Sequence, residues 1–82
     1  MNKARRRRIA KIFSKLTELE SNLEELEEEE QDAFDNLPES IAATERGDQM
    51  QEFIEVLSSA SSQIEEARCE LSEMLNTETA IA

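Results

Sequence analysis

Apolar residues recur along the first half of the chain at Ile9, Ile12, Leu16, Leu19, Leu23 and Leu26, in alternating steps of three and four. That alternation is a heptad stripe on one side of an α-helix. The next two places of the same register hold Glu30 and Ala33, so the seam weakens before the chain turns. No Gly or Pro interrupts the stretch from Lys3 to Phe34, and nearly every residue in it is a good helix former. The spacing predicts a first helix over about residues 3–34, which at 1.5 Å per residue is roughly 45 Å long.

The second half repeats the pattern with Met50, Phe53, Leu57, Ala60, Ile64, Ala67, Leu71 and Met74. Asp48 and Gln51 have the spacing of a capping box, and Gly47 is placed to close whatever precedes it. A second helix over about 48–75 is predicted, followed by a frayed tail at 76–82. In the connection, 35–47, Pro38 drives Leu37 out of the helical region and then suits the first turn of a short helix through about Thr44. Ile41 falls outside the register of the second helix, and a connection of this length permits the two long helices to run antiparallel. The expectation is a single all-α domain, an antiparallel helical hairpin of coiled-coil type.

The stripe is wider than a two-stranded seam requires. Phe13, Phe34, Ile54 and Leu75 each sit one place beyond a seam residue, and Val56 sits one place before. Apolar flanks of that kind suit three- or four-helix packing. A homodimer forming a four-helix bundle is therefore expected, with Ala60 and Ala67 allowing close helix approach.

Composition narrows the functional classes. The chain has 82 residues, one Gly and one Pro, too little turn chemistry for a many-stranded β fold. It contains no His, the commonest general base and zinc ligand, and a single cysteine, Cys69, which cannot form an internal disulfide. No apolar run is long enough for a membrane span, and no signal-peptide core follows the N-terminal arginines, so a soluble cytoplasmic chain is expected. Ser58, Ser59, Ser61, Ser62 and Ser72 lack a His or Lys base nearby, and no phosphate loop, EF-hand or Cys/His metal spacing occurs. The expectation is a protein that is not an enzyme, with no cofactor and no metal site.

Charge is the informative remainder. Twenty acidic residues stand against nine basic ones, a net charge of -11, and seven of the nine lie in the first fifteen positions. Arg5, Arg6, Arg7 and Arg8 could grip phosphates. No aromatics are interleaved for base stacking, so such nucleic-acid binding would be unspecific. The competing reading pairs this arm with Glu65, Glu66, Glu70 and Glu73 across the hairpin. The acidic run divides in the same way. It is a solvated helix face, or else Glu24, Glu25, Glu27, Glu28, Glu29 and Asp32 present carboxylates as DNA presents phosphates, steering toward a basic cleft.

From Glu29 to Ile41 the chain reads Glu-Glu-Gln-Asp-Ala-Phe-Asp-Asn-Leu-Pro-Glu-Ser-Ile, followed by Glu45-Arg46-Gly47 and preceded by the opening Met1-Asn2-Lys3-Ala4-Arg5-Arg6. This resembles a group of small phage and prophage proteins, acidic and heptad-rich, built around an E-x-x-x-F-D-N-L-P-E-S core. The resemblance implies an origin, and a host-cell cytoplasmic location, rather than an activity. Small phage proteins of this kind often bind a host protein. The expected function is thus protein binding through the acidic surface, as an inhibitor or modulator of a host nucleic-acid enzyme or defence complex. Alternatives are a nucleic-acid-associated protein using the arginine arm, and a purely structural self-assembling coiled coil. Phe34, Leu37 and Ile41 form a candidate patch, either plugging the end of the bundle or meeting a partner.

Overall fold

The computed structural model describes residues 2–81, with side-chain surroundings for residues 2–77. Three helices follow in order: α1 (Lys3–Asp35), α2 (Glu39–Ala42) and α3 (Glu45–Ile81). The two long ones run antiparallel as a rod of 61 × 14 × 14 Å, with α2 packed on the start of α3.

Local chemistry sets the ends. Asn2 caps α1, its Oδ1 accepting from the backbone N–H of Arg5 at 2.8 Å. At the other end the Asn36 side-chain amide donates to the Asp32 carbonyl at 2.8 Å, and the Leu37 N–H donates to the Phe34 carbonyl. The Asp32 carbonyl thus takes both the backbone and side-chain N–H of Asn36, the Leu37 bond satisfies a carbonyl of the last turn, and Pro38 then precedes the single turn of α2.

The start of α3 differs from expectation. The helix begins at Glu45, and the Asp48 N–H already donates to the Thr44 carbonyl, so Asp48 lies inside the helix and does not cap it. Gly47 is one of the few buried residues, and it has no positive φ. A Cβ there would clash with the Ala42 carbonyl oxygen, so glycine is required by the close approach of α2, not by a left-handed cap. At its far end α3 continues through Ile81, across the segment expected to fray, while Ala82 lies outside the described residues.

The interhelical seam is also turned relative to expectation. Residues 9, 16 and 23 face inward as the pattern predicts. Their alternating neighbours are Phe13, Glu20, Glu27 and Phe34, not Ile12, Leu19, Leu26 and Ala33. On α3 the inward line is likewise Ile54, Ser61, Arg68 and Leu75, each one place beyond Phe53, Ala60, Ala67 and Met74. On α1 the expected line is left outward, with Ile12, Leu19 and Leu26 each about half exposed (49–51%), whereas on α3 Phe53 and Met74 turn outward but Ala60 and Ala67 stay half-buried as expected.

No hydrophobic residue among those described is fully buried. Among the described residues the one buried polar side chain is Ser61, at 7% exposure. Two helices can cover only one side of each other, so the middle line of each stripe stays half open. That line is Ile9, Leu16, Leu23 and Glu30 on α1, and Met50, Leu57, Ile64 and Leu71 on α3.

Candidate functional surfaces

An ion pair holds the middle of the rod together. The Arg68 Nε–H donates to Glu20 Oε2 at 2.8 Å, linking α3 to α1 where both side chains are largely sheltered. The guanidinium also lies over the Phe13 ring, 5.8 Å from its centroid. The hydrogen bond that Arg68 donates to Glu20 raises the Arg68 pKa above its ordinary value. The pair fixes the antiparallel register, placing Glu27 level with Ser61 and Phe34 level with Ile54, and Phe34 and Ile54 line one shallow groove.

The basic arm lies beside the last part of α3, as an antiparallel hairpin requires. Among the described residues, however, no ion pair joins Arg5, Arg7, Arg8 or Lys11 to Glu65, Glu66, Glu70 or Glu73. Register and facing explain this. With Glu20 level with Arg68, Glu73 comes level with Lys15 and Glu65 with Leu23, further along the rod than the arginines. Those glutamates are also exposed, on sides of α3 that do not face α1. Arg6 takes the inward place one turn before Ile9, whereas Arg5, Arg7 and Arg8 are exposed.

The acidic run does not form one face. Glu24, Glu25, Glu28, Glu29 and Asp32 are exposed but spread around the helix, and Glu27 turns toward α3 beside the small Ser61. Glu30 is half-buried and lines a groove with Phe53, Val56 and Leu57, without an ion pair to Arg46. What the acidic residues share is position along the rod. Thirteen of the twenty lie between Glu24 and Glu55, where Arg46 is the one basic residue, while the rest of the chain holds eight basic and seven acidic residues. The hairpin therefore has an acidic turn half and a nearly neutral open half.

Phe34 and Leu37 do not stand apart from the heptads. They extend the inward series from Glu27 and Glu30 and are half-buried, whereas Ile41 is 38% exposed on α2. Cys69 is exposed on the outer side of α3. No cluster of three or more potential metal ligands occurs among the described residues, and no helix there is long and apolar enough to cross a membrane.

No known family matches the chain, and neither a curated protein nor a solved structure proved similar to it.

Sequence reasoning missed the surface that stands out most. The outward line Ile12, Leu19, Leu26 on α1 has a counterpart in Phe53 and Met74 on α3, with Val56 beside it at 59% exposure. The width of the stripe was the available signal; it shows that flanks exist but not which flank is used inside.

Proposed function

We propose that this chain is a non-enzymatic protein-binding module, homodimeric as a four-helix bundle, whose acidic turn half engages a basic surface on a partner protein. The separation of charge along the rod is the observation that supports this reading. Carboxylates concentrated on one half of a rigid rod create a directional field that draws a basic cleft to that half. The exposed side chains Glu24, Glu25, Glu28, Glu29 and Asp32 are the contacts, and Glu27 serves the seam instead.

The partner class that suits such a surface is a protein that ordinarily holds nucleic acid, since carboxylates at helical spacing stand in for phosphates. Together with the resemblance to phage proteins, this makes the chain an inhibitor or modulator of a host nucleic-acid enzyme or defence complex, working in the host cytoplasm. The test is affinity capture from host lysate with and without nuclease, eluted by a salt gradient. A discrete protein retained after nuclease and released by salt is expected from the wild-type chain. It should be lost when the five exposed acids become Gln or Asn. Retention unchanged by those five substitutions would reject the acidic surface as the contact.

A second reading has its own observation: Arg5, Arg7 and Arg8 are exposed and enter no ion pair among the described residues. A nucleic-acid-associated role for the arm requires a mobility shift at low salt that disappears when these three arginines are reversed to glutamate.

A further inference from the structure

The exposed apolar flanks carry a more specific inference, which rests on the dimeric reading above. On α1 each flank residue precedes a seam residue by one position, as Ile12 precedes Phe13 and Leu19 precedes Glu20. On α3 the offset is the same, as Phe53 precedes Ile54 and Met74 precedes Leu75. Because the helices are antiparallel, equal offsets of the same sign turn both flanks toward the same broad side of the rod. The opposite side carries Thr17, Glu24 and Gln31 from α1 and Gln51, Ser58 and Glu65 from α3. One side of the hairpin is thus apolar and the other polar.

We infer that the apolar side is covered by a second copy of this chain, related by a two-fold axis that runs along the rod, with both turns at the same end. Such an axis keeps every residue at its own level and sets α1 of each copy against α3 of the other. The register fixed by Glu20 and Arg68 then brings a large residue beside a small one over most of the contact. Leu19 meets Ala67 of the second copy, Leu26 meets its Ala60, and Ala33 meets its Phe53. Alternating sizes across facing positions interdigitate without voids. The half-open middle lines of all four helices meet at the centre, which supplies the core that a single hairpin lacks.

Charges bordering this contact also agree with it. Lys15 on the edge of α1 comes within about one turn of Glu70 on the facing edge of α3 of the second copy. Glu29 faces the uncharged Val56 and Gln63, whereas Glu30, on the middle line, meets its own counterpart across the axis and is the like-charged pair that this arrangement brings together. The two acidic turn halves do end up side by side, and apart from Glu30 they do so through solvent-exposed groups whose repulsion salt screens. Packing in the bundle centre is not screened, so it decides the arrangement, and added salt should tighten the dimer.

Two experiments on the full chain test this. In a Cys69→Ser background, a nitroxide is placed at Glu39→Cys and distances are read by pulsed electron spin resonance alongside mass by light scattering. Turns at one end put the two labels within about 35 Å, whereas turns at opposite ends of the rod separate them by roughly 50 Å. The second experiment exchanges sizes. Leu19→Ala and Ala67→Leu should each weaken the dimer at least about tenfold, and the double variant should recover most of the loss. A short distance with recovery is the expected result. A dimer with the long distance, or without recovery in the double variant, overturns this arrangement and leaves dimerisation standing. A monomer at all concentrations overturns both.

Discussion

Glu20 and Arg68 meet across the hairpin at 2.8 Å, forty-eight positions apart in the chain, and they replace an apolar contact at the middle of the seam. A sheltered pair of this kind specifies register more than it stabilises, because two charges give up water to meet. Arg68→Leu strands a carboxylate that is 13% exposed, and Glu20→Leu strands the guanidinium. Each single change should lower the melting temperature by a few degrees, the arginine change more. The double Leu variant should return to the wild-type value or exceed it, as measured by circular dichroism at one fixed protein concentration. Strictly additive losses would show that the two side chains do not act together.

The same pair predicts a pH response by its absence. Glu20 raises the Arg68 pKa above its ordinary value, so the stabilisation from this guanidinium is fully present at every pH below the unfolded arginine value. Raising the pH from about 7 to about 10 should leave unchanged the difference in melting temperature between wild type and Arg68→Leu. A difference that shrinks over that range would contradict the assignment.

Glu27 and Glu30 occupy inward heptad positions where an apolar residue packs better. Glu27→Leu should raise the melting temperature by roughly 5 °C, the response of a small domain to about 1 kcal/mol. Glu30 lies on the middle line of the stripe, so Glu30→Leu should in addition strengthen self-association in sedimentation equilibrium. A fall in melting temperature for Glu27→Leu would mean that the space beside Ser61 does not admit a branched side chain.

Gly47 reverses the usual sign of a glycine substitution. Replacing a helical glycine by alanine ordinarily stabilises. Here the added Cβ meets the Ala42 carbonyl oxygen, so α2 must move off α3. Gly47→Ala should lower the melting temperature by several degrees and increase amide exchange across residues 39–44. A rise in melting temperature would refute the close approach.

Asn2 holds the first turn of α1 by a single side-chain hydrogen bond. Asn2→Ala should speed amide exchange around Arg5 to Arg8 several-fold with little change in global melting, since a terminal turn frays independently of the seam. Equal acceleration throughout α1 would argue that the arm is part of the cooperative unit.

The two long helices, their antiparallel return and the break around Leu37 and Pro38 could all be read from the sequence. Helical periodicity, missing breakers and the stereochemistry of the residue before proline are properties of the local chain. The width of the apolar stripe was legible for the same reason. What the sequence left open was which of three parallel lines meets the partner helix. Ile12, Leu19 and Leu26 are more apolar than Phe13, Glu20 and Glu27, and by composition alone they belong inside. The tertiary structure decided otherwise, because facing is a property of two helices at once. Arg68 finds both Glu20 and Phe13 only in this register, and Ser61 makes room for Glu27. The purely apolar flanks are thereby left together on one side of the rod. Gly47 shows the same division: its sequence position suggests a helix cap, but its role comes from Ala42 on a neighbouring helix, a contact that no local pattern encodes.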